Sequence, residues 1–242
     1  GPYEKKGPLG KYFDKSFDNL YANEKTFELA ETKMLKDSID ILLNKSNEKK
    51  ADIFLSGDLL NQLVPSNLTA LSLKIPYFGL YNACATSMEG LLLGSTLIDS
   101  GKVKNAICSV SSHNCSAEKQ FRYPNEYGGS KPKVATFTAT GAASAYLSKK
   151  PSQIRIESGT VGKVMDLGIT DVYNMGAVMA PAAADTLYQH LKDMKIDINY
   201  YDLIVTGDLG IFGKQILRDY MREEYKMDLI KYNDCGIMLY SL

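Results

Sequence analysis

Apolar residues recur along this chain in two alternating rhythms, one at helical spacing and one in short continuous runs. From about Glu24 to Asn44, Phe27, Ala30, Met34, Leu35, Ile39 and Leu42 fall near one face of a 3.6-residue repeat, and a polar run ends them. Asp52 to Leu55 then reads as a strand, Pro76 opens a second apolar strand reaching Tyr81, and Asn105 to Ser111 supplies a third. A helix from about Ala85 to Ile98 joins the second strand to the third, and Gly101 stops it. Further strands are expected at Val134 to Leu147, Gln153 to Thr160 and Asp202 to Val205, with a helix from about Pro181 to Met194 before the last. Strands and helices alternating at this spacing predict parallel βαβ units in an α/β layered sheet.

The helix at 85–98 is unusually apolar for a surface element. Glu89 is its only charged residue, and Gly90 and Gly94 lie four apart on one face. Glycine in a helix interior costs roughly 1 kcal/mol relative to alanine, a cost accepted where another backbone or sheet must come close. Such a helix is either walled in between two sheets or covers one of them.

The chain also repeats itself. Asp52-Ile-Phe-Leu-Ser-Gly-Asp-Leu59 and Asp202-Leu-Ile-Val-Thr-Gly-Asp-Leu209 match at an offset of 150 residues, each preceded by a helical segment. Duplication is the direct reading. It divides the chain into halves at 1–150 and 151–242, the second lacking the elements that follow the first copy.

Composition narrows the function classes. With 242 residues, 45% of them hydrophobic, the chain can bury a substantial core. Lys plus Arg and Asp plus Glu number 28 each, so no net field draws the molecule to nucleic acid or anionic lipid, and any anion site is local. Cys84, Cys108, Cys115 and Cys235 show neither disulfide-framework nor metal-ligand spacing, which points to a reducing, cytoplasmic compartment and to no metal cofactor.

The chemistry centres on Cys84, in Tyr81-Asn-Ala-Cys-Ala-Thr-Ser-Met-Glu-Gly90, where an apolar strand turns directly into a helix. A thiol there meets unpaired amide groups and the positive end of the helix dipole, which favour a thiolate and equally a bound carboxylate. A free structural cysteine is the alternative.

The strand, Ala-Cys-Ala turn and small-residue helix resemble the nucleophile elbow of thiolases and ketoacyl synthases, and Thr140-Gly-Ala-Ala-Ser-Ala145 resembles their glycine-rich strand. The similarity is closer to one branch of that superfamily, the stage V sporulation AD proteins. It is carried by Gly7-Pro-Leu-Gly10, Ser56-Gly-Asp-Leu-Leu-Asn61, Ser111-Ser-His-Asn114, Ala117-Glu-Lys-Gln-Phe-Arg-Tyr-Pro124, Glu126-Tyr-Gly-Gly129 and Met179-Ala-Pro-Ala-Ala-Ala-Asp185. The resemblance implies a thiolase-like duplicated α/β/α/β/α layered fold, here without a first strand and a C-terminal portion. It implies a protein of spore-forming bacteria at the cytoplasmic side of the spore inner membrane. There it would bind dipicolinic acid, free or as its calcium chelate, for uptake or release together with membrane proteins of the spore dipicolinate channel. A homodimer is a further partner that the superfamily suggests.

In the enzymes of that superfamily, the turn after the strand matching Asp202 to Val205 carries a catalytic His or Asn, whereas here it reads Thr206-Gly-Asp-Leu-Gly210. Without a base or an oxyanion partner a thiol is a poor acyl-transfer catalyst. The expected role of the elbow is therefore binding, with acyl transfer through Cys84 as the alternative. His113, ending the strand after the elbow helix, joins Cys84 at one sheet edge, with an exposed loop position as its alternative. From His113 to Lys133, Lys119, Arg122, Lys131 and Lys133 exceed Glu118 and Glu126 by two charges. Arg122, Lys119 and an aromatic wall from Tyr123 or Phe121 would suit a flat dicarboxylate. Asp58 and Asn61 are expected beside the same edge, facing calcium or the ring nitrogen, or serving a turn. His190 and Cys108 are read as structural.

Overall fold

The computed structural model describes residues 1–125 and 129–240. The Glu126-Tyr-Gly portion of the basic segment therefore lies outside the described residues. The chain forms two compact units, one of Gly1–Phe121 with Thr138–Ile156 and the other of Arg122–Phe137 with Glu157–Leu242. The segment holding Arg122 and Tyr123 thus clusters with the second unit, on the other side of the division from Cys84.

In the first unit, β1 (Ile53–Gly57), β2 (Tyr77–Gly79), β3 (Asn105–Ser112) and β4 (Gly141–Ser148) make one sheet in the order β2-β1-β3-β4. β1 runs parallel to both neighbours and β4 antiparallel to β3, so the expected βαβ units are present. Every residue of β1 is buried, as befits a central strand covered on both faces. Its pleat sends Phe54 toward α1 (Phe27–Ser46), with Leu35, Ile39 and Ile107, and sends Ile53 and Leu55 toward α3 (Thr86–Asp99), with Ile98, Ala106 and Cys108. Thr26 caps α1 by accepting from Leu29 N at 3.2 Å, and Gly101, at φ 74°, follows the end of α3 as expected.

Toward the carboxyl ends of the strands, the α1 side of the sheet changes from apolar to polar. Ser56, Ser109 and Ser144 stand in register across β1, β3 and β4. Ser109 bonds Ser144 at 2.7 Å, Ser38 of α1 bonds Ser144 at 2.6 Å, and Ser56 bonds Ser66 at 3.3 Å. Ser66 belongs to α2 (Val64–Leu73), a helix absent from the sequence expectations because Pro65 reads as a breaker although it stands in the first turn, where proline is tolerated.

In the second unit, α4 (Met175–Met194), β5 (Ile204–Thr206), α5 (Gly210–Tyr225), β6 (Tyr232–Asp234) and α6 (Cys235–Leu239) follow one another, and β5 pairs parallel with β6. The helix expected to begin at Pro181 begins instead at Met175, capped by Asn174, whose side chain accepts from Ala177 N at 3.2 Å, so the proline lies inside it. No strand forms over 153–160. Helices α4 and α5 meet through Gly176 and Gly213, where a Cβ on Gly176 would lie 2.9 Å from Gly213 Cα. His190 bonds Thr160 at 2.8 Å and Tyr201 at 2.7 Å within this unit, in keeping with its structural reading.

The two copies of the repeat differ in how tightly their glycines are packed. A Cβ on Gly57 would come within 2.0 Å of the Leu80 carbonyl oxygen and 2.7 Å of Thr86 Cγ2, whereas one on Gly207 would meet nothing within 4 Å. Backbone cannot yield as a side-chain tip can. Gly57→Ala should therefore lower the unfolding free energy by about 1–3 kcal/mol in a urea titration, and Gly207→Ala should stay within about 0.5 kcal/mol of the parent. Equal effects at the two positions would contradict the packing described here.

Candidate functional site: the cysteine elbow

The close approach at Gly57 places the end of β2 and the start of α3 over the carboxyl end of β1. Leu80 N donates to Ser56 O at 2.9 Å, and the chain then turns through a 3-10 segment, Ala83–Ala85, into α3. Ala83 holds φ at 44°, a left-handed backbone that a residue with a Cβ adopts at a cost of about 1–2 kcal/mol. Thr86, buried under Gly57, accepts from Asn82 N at 3.1 Å and fastens the turn. The result presents Cys84 as an exposed thiol at the amino end of a 14-residue helix. Helix α3 buries Thr86, Gly90, Gly94 and Ile98 against the sheet of its own unit, and Met88 on another face is exposed. Within the unit it therefore covers one sheet. Gly94 is needed for that: a Cβ there would lie 2.9 Å from both Cys108 Sγ and Leu147 Cδ1, whereas one on Gly90 would make ordinary contacts at 3.4 Å and beyond.

The loop after β1 lies beside the elbow. Gln62 and Leu63 are both left-handed, at φ 61° and 53°. Asn61 is exposed, its Oδ1 accepting from the Tyr81 hydroxyl at 3.1 Å, and its backbone N donates to Glu118 Oε1 at 2.8 Å. Three non-glycine residues in the left-handed region thus fall in two loops joined by a side-chain hydrogen bond. Strained backbone of this kind persists only where the surroundings hold it, and it gathers at binding sites. Tyr81 was no candidate in the sequence reading, though it stands in the elbow motif three residues before the thiol.

The other expected residues are placed differently. Asp58 is buried, and its carboxylate accepts from Leu60 N at 3.0 Å, Ser66 N at 3.0 Å and Ser66 Oγ at 2.7 Å, which is the turn role. His113 is buried as well, which corrects the exposed-loop alternative. Its Nδ1 accepts from Cys115 N at 3.1 Å, so Nε2 carries the proton and donates to the Leu20 carbonyl at 2.8 Å. Burial holds its pKa below the usual imidazole value. Both ring nitrogens are engaged with backbone, and the ring packs 5.1 Å from Phe27. Lys119 is exposed in a 3-10 turn, Lys119–Phe121. In the second unit Arg122 is exposed, and Tyr123 packs edge-on against Tyr173 at 6.2 Å.

Two acidic sites escaped the sequence reading. Glu31, wholly buried on α1, accepts from Ser111 Oγ and Ser116 Oγ, each at 2.9 Å. Burial, with the nearby charges of Asp58 and Glu28, pushes its carboxyl up to about 7. Its signal was the acid at 31 between Ala30 and Met34 on an apolar helical face. In the second unit, Asp208 occupies the turn after β5, and burial together with Asp234 raises it to about 6 while Lys131 opposes the rise. The repeat also extends further than its first eight residues: Tyr232-Asn-Asp-Cys235 matches Tyr81-Asn-Ala-Cys84 at an offset of 151, again at a strand-to-helix corner. Cys235 there has its thiol pushed up by burial and by Asp234 and Asp208. Among the described residues no group of three or more His, Cys, Asp or Glu side chains is arranged to hold a metal ion. No helix among them is long and apolar enough to cross a membrane.

The buried acid generates a pH signature. Between pH 4.5 and about 7 the unfolded chain ionises Glu31 while the folded chain keeps it protonated, so its contribution to stability falls as pH rises through that window. His113, held low, acts in the opposite sense below its usual value, and Glu31→Gln separates the two. The gain of Glu31→Gln over the parent should grow from near zero at pH 4.5 toward the order of 3 kcal/mol above pH 7, read from denaturant midpoints in a pH series. A gain independent of pH would mean that Glu31 is charged in the folded protein.

Comparison with known proteins agrees with this architecture. A ketoacyl synthase, 3-oxoacyl-[acyl-carrier-protein] synthase III from Aquifex aeolicus VF5, superposes with a TM-score of 0.64 at 14% identity, covering 96% of this chain and 79% of that one. A Xanthomonas campestris OleA variant crystallised with lauric acid and lauroyl-CoA gives 0.62 at 10% identity, covering 99% of this chain and 79% of that one. At such identities the likeness shows the thiolase-like fold alone. Stage V sporulation protein AD of Bacillus subtilis (strain 168) is 49% identical over 243 residues, spanning 100% of this chain and 72% of that protein. With the profile of that family also matching residues 1–242, this thiolase-like chain belongs to the stage V sporulation protein AD (SpoVAD) family of sporulation proteins.

Proposed function

We propose that this sporulation protein binds dipicolinic acid, pyridine-2,6-dicarboxylate, at the cysteine elbow without turning it over. The observation that carries the reading is the strained, hydrogen-bonded pair of loops around Cys84. One carboxylate would lie at the amino end of α3, where the helix dipole favours an anion. The exposed Tyr81 ring offers a flat surface for the pyridine, held in place by its bond to Asn61, and the Asn61 amide can donate to the second carboxylate. Lys119 supplies nearby positive charge from the loop after β3. His113 and Asp58 act from beneath, fixing the loops through bonds to backbone and to Ser66. Calcium, if it accompanies the diacid, would be carried as its chelate. In the spore such binding would serve uptake or release of the diacid with membrane channel partners at the inner membrane. The free edge of β2, with Phe78 exposed, offers a surface for a homodimer.

Isothermal titration of the chain with pyridine-2,6-dicarboxylate should give saturable binding. Cys84→Ala and Tyr81→Phe should each weaken it about three- to tenfold, the range for one modest polar contact, and Tyr81→Ala should weaken it more. Arg122→Ala in the same titration tests the contribution expected from the sequence. Unchanged affinity in all of these variants would remove the ligand from the elbow.

The exposed Cys84 thiol at the amino end of α3 favours a second reading, acyl transfer through that sulfur. Incubation with acyl-CoA followed by intact-mass analysis should show an adduct lost in Cys84→Ala if that reading holds; the binding reading predicts no adduct.

A further inference from the structure

The second unit carries a pair of cations that meet no anion among the described residues. Lys214 and Arg218 stand one turn apart on α5, beside the buried positions Gly213 and Leu217. Both lie over the ring of Tyr232 on β6, the Lys214 Nζ 5.8 Å and the Arg218 guanidinium carbon 5.9 Å from its centroid. The ring is a fixed floor, because Tyr232 is buried and its hydroxyl is bonded to Thr206 Oγ1 at 2.8 Å. Lys214 donates to Asn233 Oδ1 at 2.7 Å, a neutral amide. The Nε of Arg218 is buried and has no acceptor.

Acidic groups around the pair are engaged elsewhere. Asp219 and Asp228 pair with Arg222. The oxygens of Asp234 accept from Leu209 N, Thr206 Oγ1, Gly236 N and Ile237 N. Among the described residues no carboxylate forms an ion pair with Lys214 or Arg218. A buried guanidinium N–H without an acceptor is uncommon in a native protein, and the usual explanation is a water or an ion. Here a second cation on the same ring makes an anion the better filler, since two like charges over one floor repel until a negative group joins them.

We propose that Lys214 and Arg218 form an oxyanion site, in which the edge of Arg218 bearing Nε donates to a phosphate or carboxylate group, Lys214 supplies the second charge and the Tyr232 ring closes the floor. The site is independent of the elbow and of what binds there. A planar guanidinium edge matches two oxygens of such a group, which an ammonium cannot do.

Arginine Nε–H resonances of the uniformly 15N-labelled chain read the site directly. Inorganic phosphate and sodium acetate are titrated separately, with sodium chloride at matched ionic strength as reference, and Arg218→Lys assigns the signal. The expected result is a saturable shift of the Arg218 Nε–H with phosphate or acetate, the responsive anion naming the group, while the Arg155 and Arg222 signals move only as in chloride. Lys214→Met should weaken that titration about tenfold, the value of one charge-assisted contact. An Arg218 signal that follows chloride alone, or a Lys214→Met titration indistinguishable from the parent, would overturn the proposal.

Discussion

The elbow depends on a steric allowance one atom wide. Because Gly57 has no side chain, the Leu80 carbonyl can pass directly over the end of β1, and the chain leaving β2 can turn at once into α3. Everything notable about Cys84 follows from that contact: its place at a helix start, its exposure, and the left-handed Ala83 just before it. The thinness of α3 at Gly94 serves the same geometry, letting the helix settle on Cys108, whose thiol donates to the Gly90 carbonyl at 3.1 Å.

A buried polar layer holds the loops around that turn. Glu31 receives the two serines that bracket His113, Asp58 receives the start of α2, and His113 ties the turn after β3 to the carbonyl of Leu20. Such networks cost desolvation, and when every member is satisfied they specify one arrangement. Left-handed Gln62, Leu63 and Ala83 are sustained above them. The first unit thus gathers its buried hydrogen bonds beneath the elbow and leaves Asn61, Tyr81 and Cys84 at the surface.

What local pattern determines was legible in advance. The strands at β1 and β3, helix α1, the length of α3, its stop at Gly101 and the thiol at its start all follow from periodicity and turn chemistry within short windows. Contacts between distant positions were not. His113 was placed by a carbonyl 93 residues earlier, and Glu31 by serines 80 and 85 residues away, so neither burial is written near the residue itself. The Tyr81 bond to Asn61 depends on β1 and β2 being neighbours. Helix α5 follows so closely on the Thr206-Gly-Asp turn that the turn signal hid it, and β6 is only three residues long. The second Tyr-Asn-x-Cys was present in the sequence, and it gained meaning once β6 and α6 repeated the corner made by β2 and α3.

The central proposal is that this corner receives a small diacid. The most direct measurement is a crystal structure of the chain soaked with pyridine-2,6-dicarboxylate. The account predicts a flat ligand against Tyr81, with one carboxylate at the start of α3 and the Cys84 sulfur unmodified. A diacid bound elsewhere with the elbow empty would contradict it, and so would an acyl group on that sulfur.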